Sequence, residues 1–326
     1  MSDAAAIYEK IKHLVPEAEW AVHRPLVEEI NRLKSELGAV ILAHNYQTPE
    51  IFHGVADIRG DSLALARRAA ESDAELIVVC GVHFMAETAK IVNPSRTVLI
   101  PALDAGCSLA DAVTAADVRE LKRQHPGVPV VTYVNTTAEV KAETDICCTS
   151  ANAVQVVRSL GVDRVIFLPD EFLGKWVAAN TDVEIIPWKG HCEVHEKFSA
   201  DLVSDYRRQF PGVTVLAHPE CDIDVLQASD VVGSTSDMIR YLAAARPEKV
   251  VLITECSMSD NVSADFPEIE FIRSCTLCPH MKKITLENIV DSLVKRQFEI
   301  EVDPVVAKRA LRAVERMMEV GRGGNR

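Results

Sequence analysis

From Ala39 onward the chain alternates short, continuous apolar runs with longer stretches of helical periodicity. Such runs, bounded by polar turns and alternating with helices, predict α/β units with parallel strands. Residues 1–37 differ: Ile7, Ile11, Leu14 and Val15, then Leu26, Val27, Ile30 and Leu33, recur at helical spacing. They predict lead-in helices that cover the body. At the other end Ile289, Leu293, Val306, Ala310, Val314 and Met317 predict helix over Ile284 to Val320, with Gly321–Arg326 as a fraying tail.

The α/β part repeats itself. Val40–Ala43, Val130–Thr132 and Val213–Ala217 run into His44-Asn45-Tyr46, Tyr133-Val134-Asn135 and His218-Pro219-Glu220. A second strand then meets a helix start, where Asp57 to Ser62, Asp145 to Ser150 and Asp230 to Thr235 match position for position. Third strands are expected at Glu75–Cys80, Arg164–Leu168 and Lys249–Ile253. Fourth strands lead to Cys107, Cys192 and Cys278, which stand 85 and 86 residues apart. The pattern predicts three similar α/β domains, short parallel sheets with flanking helices, around a pseudo-threefold axis with the active site at the centre. Their expected limits are 38–110, 111–194 and 195–282, preceded by helices at 1–37 and followed by helices and a tail at 283–326.

Parallel α/β sheets bind ligands beyond the carboxyl ends of their strands. His44, Tyr46, Tyr133, Asn135, His218 and Glu220 occupy those ends. His and Glu move protons near neutral pH, and Tyr orients or donates. Glu220 is the candidate general base. Ser62, Thr149-Ser150 and Ser234-Thr235 stand at the expected helix starts. Capping accounts for any one of them, but three at matching positions point to anion binding by helix N-termini.

Three thiolates leave a metal one ligand short. Zinc with an open fourth position meets that description, although catalytic zinc more often takes His and carboxylate. So does a [4Fe–4S] cluster with one iron free of protein sulfur, and soft thiolates suit it. On spacing alone, buried cysteines without metal are the plain alternative. Cys80 and Cys256 read as core, Cys147-Cys148 as filling beneath a helix start, and Cys275 as a disulfide partner for Cys278 when no metal is bound.

Composition narrows the partners. Net charge is −13 with no basic cluster, which disfavours nucleic acid and anionic membranes. No apolar run approaches the roughly 20 residues of a membrane span, and the N-terminal residues lack the order of a signal peptide. Nine cysteines, an odd number in a long chain, fit a reducing cytoplasm rather than a disulfide framework. Neither a Walker-type nor a dinucleotide glycine loop is present.

Several stretches, in order, resemble the quinolinate synthase family, the A protein of bacterial de novo NAD synthesis. They include Ala43-His44-Asn45-Tyr46-Gln47, Gly60-Asp61-Ser62-Leu63, Gly81 to Lys90, Ala105-Gly106-Cys107-Ser108-Leu109 and Tyr133-Val134-Asn135. Further on come Gly190-His191-Cys192-Glu193-Val194-His195, His218-Pro219-Glu220, Gly233-Ser234-Thr235-Ser236 and Cys278-Pro279-His280-Met281. The resemblance implies condensation of iminoaspartate with dihydroxyacetone phosphate, losing phosphate and water to give quinolinate. It implies a [4Fe–4S] cluster on Cys107, Cys192 and Cys278, whose open iron acts as a Lewis acid. It also implies substrate contacts at His44, Tyr46, Ser62, Tyr133, Asn135, Ser150, His218, Glu220, Ser234 and Thr235. His44, Tyr46, Tyr133 and Glu220 are the expected catalytic residues among them, and transient contact with L-aspartate oxidase would supply labile iminoaspartate. Some members carry a further cysteine where this chain has Ile272, so a redox role tied to that thiol does not transfer. The rival readings are another iron–sulfur hydro-lyase and a non-catalytic phosphosugar sensor.

Overall fold

The computed structural model describes residues 4–320. Its body is three four-stranded parallel sheets. The first holds β1 (Ala39–His44), β2 (Ile58–Gly60), β3 (Leu76–Cys80) and β4 (Thr97–Leu99). The second holds β5 (Val130–Tyr133), β6 (Ile146–Cys148), β7 (Arg164–Leu168) and β8 (Glu184–Pro187). The third holds β9 (Thr214–Ala217), β10 (Val231–Val232), β11 (Lys249–Ile253) and β12 (Glu270–Ile272). Each sheet has the same order, second strand, first, third, fourth. The expected α/β fold of three similar units is therefore present.

The aspartate that opens each second strand has one structural task. Asp57, Asp145 and Asp230 accept the N–H of Ile41, Val130 and Val215 through a carboxylate oxygen, at 2.8, 2.8 and 2.7 Å. Each returns its own backbone N–H to the carbonyl of the same residue. The clasp fixes a very short edge strand where the ladder alone offers few bonds.

One continuous apolar core joins the first two sheets with the helices Ala4–Ile11, Glu17–Leu37 and Pro304–Glu319. The third sheet keeps separate cores on its two faces, with Val215, Ala217, Val251 and Ile253 on one and Leu216, Val250 and Leu252 on the other. No helix among the described residues is long and apolar enough to cross a membrane.

The helical segment expected over Ile284–Val320 consists of two helices, Leu286–Lys295 and Pro304–Glu319. Arg296 and Phe298 take left-handed backbone, at φ 52° and 63°, and the chain between the helices runs along the free edge of β4. Ile100 donates its N–H to the Phe298 carbonyl at 3.1 Å, and Ile300 donates to Val98 at 2.8 Å. Covering an exposed strand edge outweighs helical continuity there. Pro304 then starts the last helix, and the Asp303 carboxylate caps it by accepting the N–H groups of Val305 and Val306 at 2.9 and 3.1 Å. The expected tail at 321–326 lies outside the described residues.

Candidate active site

Residues just past the ends of β1, β5 and β9 line one central cavity of about 720 Å³, part of it open to solvent. Cys107, Cys192 and Cys278 line it as well. Each cysteine loop hangs from the same backbone bond. An N–H just beyond the third strand donates to the carbonyl two residues before the cysteine: His83 to Ala105 at 2.7 Å, Glu171 to Gly190 at 2.9 Å and Cys256 to Thr276 at 2.8 Å. Gly190 allows the close approach of chains in the second unit, since a Cβ there would lie 2.6 Å from the Pro169 carbonyl oxygen.

Burial pushes the Cys107 thiol up to about 12 and raises Cys192 and Cys278 in the same direction. A cation reverses such shifts, and three sulfur donors in one cavity suit a thiophilic metal or cluster. Cys192, His195 and Glu220 also have ligand atoms within 4.8 Å of one another. His195 Nδ1, however, lies 2.8 Å from Glu220 Oε2 and 3.1 Å from Cys192 Sγ. Its N–H therefore serves a carboxylate and a sulfur, which makes this trio a hydrogen-bond network rather than a second ligand set.

Glu220 is the hub of that network. It is buried, accepts the Tyr133 hydroxyl on Oε1 and faces His195 on Oε2. Burial alone would raise its pKa, but His195, His218 and the hydrogen bonds from His195 and Tyr133 more than offset this and hold it below the usual carboxylate range. Burial pushes the tyrosines the other way: Tyr46 and Tyr133 lie well above the ordinary phenol value, and Glu220 adds to the rise.

Burial holds His44 down to about 4 and His218 down to about 3, so both are neutral at pH 7. Their tautomers follow from matching local bonds. Tyr46 donates its N–H to His44 Nδ1 at 3.2 Å, and Glu220 donates its N–H to His218 Nδ1 at 3.4 Å. The proton in each neutral ring is then on Nε2, and His218 uses it towards Ser150 Oγ at 3.1 Å.

The helix starts differ from expectation in detail. Ser62 and Thr235 are first helical residues that line the cavity, capped by Asp61 and Ser234. Ser234 itself does not line the cavity, because its hydroxyl is held at 2.6 Å by Asp237 in a capping box. Ser150 lies in a turn before the helix Ala153–Ser159, where Asn152 Oδ1 ties down the Thr149 N–H at 2.8 Å. Asn135 lines the cavity with a buried Oδ1 that has no partner. Cys275 is exposed and free, not bonded to Cys278.

The sequence reading passed over His195 and Thr254 as site residues. His195 follows Cys192 by three positions, a Cys-x-x-His spacing that was a usable signal. Thr254 stands where the other units have Gly81 and Pro169, so a search for matching residues drops it.

Comparison with known proteins matches residues 28–319 to the family model described as quinolinate synthetase A protein. A quinolinate synthase of Caulobacter vibrioides is 59% identical over 98% of this chain and 88% of its own length. One from Agrobacterium fabrum is 60% identical over 97% and 92%, and quinolinate synthase 2 of Mesorhizobium japonicum is 59% identical over 97% and 98%. The matching covers every loop that reaches the central cavity, and the chain belongs to the quinolinate synthase family of enzymes.

Proposed function

We propose that this enzyme makes quinolinate for NAD biosynthesis by condensing iminoaspartate with dihydroxyacetone phosphate, releasing one phosphate and two waters. The observation that supports this most directly is the meeting of Cys107, Cys192 and Cys278, remote in sequence, in a cavity with the Glu220 network. A [4Fe–4S] cluster held by these three cysteines would supply an iron without a protein ligand as a Lewis acid.

The remaining chemistry belongs to the chain. The substrates carry a phosphate and two carboxylates, and the cavity meets them with helix N-termini at Ser62 and Thr235. Neutral His44 presents an imidazole N–H without an added charge, neutral His218 gives its own to Ser150 Oγ, and the Asn135 Oδ1 awaits a hydrogen-bond donor. Glu220, ionised at rest, takes protons from substrate carbon or nitrogen once anionic groups beside it raise its proton affinity. Tyr133, hydrogen-bonded to that carboxylate, returns a proton to leaving oxygen. Iminoaspartate is labile, so transient delivery by L-aspartate oxidase in the cytoplasm completes the reading.

Protein prepared without air is expected to contain about four irons and four sulfides per chain and to form quinolinate from the two substrates. Exchange of any one of the three cysteines for Ala should abolish iron retention. Glu220→Gln should keep the iron and lower kcat about 100-fold or more. Full iron content in a cysteine variant, or near-normal turnover by Glu220→Gln, would reject the corresponding assignment.

A further inference from the structure

Thr254 is buried immediately after β11 and does not itself line the cavity. Its hydroxyl oxygen lies 2.7 Å from Tyr46 Oη and 2.9 Å from His195 Nε2. It thus joins a tyrosine of the first unit to the Glu220 network, and the equivalent Gly81 and Pro169 have no hydroxyl to do the same.

The link is anchored at its far end. His195 Nδ1 lies 2.8 Å from Glu220 Oε2, which orients the ring and places its Nε2 against the Thr254 hydroxyl. A hydroxyl both donates and accepts, so Thr254 can serve His195 and Tyr46 at once. The Tyr46 hydroxyl is thereby held from behind by a residue outside the cavity lining.

We propose that Thr254 is a positioning residue that anchors the Tyr46 hydroxyl for its contact with bound substrate. This rests on the reaction proposed above for the same cavity. Without the Thr254 hydroxyl, Tyr46 loses the partner that fixes its own hydroxyl, and the contact with substrate is no longer held in place beforehand. Serine at this position keeps the relay; valine keeps the shape and loses it.

The test compares Thr254→Val, Thr254→Ser, Tyr46→Phe and the Thr254→Val/Tyr46→Phe pair, each checked for iron, sulfide and circular dichroism. Thr254→Val should lower kcat/KM about tenfold or more, and Thr254→Ser should return it to within about threefold of the parent. In the Tyr46→Phe background Thr254→Val should have much less effect, because the group it orients is gone. Equal losses for Val and Ser, or an undiminished loss in the Phe background, would overturn the proposal. Should Thr254→Val fail to fold, Thr254→Cys, similar in size but a weak hydrogen-bonding group, is read in the same way. A parent enzyme that makes no quinolinate would sink the reaction instead. Calorimetric affinity for dihydroxyacetone phosphate then decides Thr254 alone: about tenfold weaker in Val and recovered in Ser supports it, whereas equal affinities overturn it.

Discussion

Exchanging Lys282 for Met removes the counter-charge of a carboxylate with no exposed surface. Lys282 Nζ lies 3.0 Å from Glu255 Oε1, with side-chain exposures of 22% and 0%. The same ammonium donates to the Tyr46 carbonyl at 2.6 Å and to Ser257 Oγ at 2.7 Å. Burial already raises the proton affinity of Glu255, and Lys282 is the charge that opposes it. Breaking a buried pair by deleting one partner costs about 3–5 kcal/mol. Glu255 would keep the Ser257 N–H at 2.8 Å and the Cys278 N–H at 3.3 Å, and water can reach the lysine site. The lower end therefore applies, about 3 kcal/mol, or a fall in Tm of about 4–5 °C. Urea unfolding followed by circular dichroism, with the m-value checked against the parent, reads this directly. Adding Glu255→Gln removes the stranded charge and should restore about half of the loss. A loss below about 1 kcal/mol, or a double variant no better than the single one, would refute the account of this pair.

Acid should destabilise the fold through its neutral histidines. With His44 held at about 4 and His218 at about 3, the unfolded chain binds more protons below about pH 6.5. Stability is then full above that pH and falls as pH drops through the interval towards 4; each histidine contributes about 2 kcal/mol of loss at pH 5. His44→Gln should shrink the fall between pH 7.5 and 5 by that amount, and an equal fall in variant and parent would contradict the burial argument. Gly190→Ala places a Cβ 2.6 Å from the Pro169 oxygen and 2.9 Å from Ala112 Cβ. It should cost about 1–3 kcal/mol and lower iron per chain by displacing Cys192; unchanged stability and iron would show that the loop yields freely.

Much of this was legible because the unit is used three times. An alternation of strand and helix gave the sheets, and the aligned Asp57, Asp145 and Asp230 marked the edge strands whose clasp they form. Strand ends named His44, Tyr133, His218 and Glu220, all of which line the cavity. What escaped lies where the units differ. Thr254 has no hydroxyl-bearing counterpart, and His195 opens the short 3-10 helix His195–Lys197 rather than following a strand end. Ser234 sits in a capping box with Asp237, and a capping hydroxyl and a ligand-facing one share the same sequence signature. The turn at Arg296–Phe298 escaped for another reason: its backbone answers to the uncovered edge of β4, a tertiary demand with no local periodicity.

The shared cavity draws on residues from His44 to Met281, and its walls come from all three sheets. Nothing resembling it exists on a ribosome until nearly the whole polypeptide has emerged. A nascent chain or proteolytic fragment bearing one or two units lacks part of the cavity's lining. The full set of groups lining the cavity is therefore offered to a ligand only where all three units have come together.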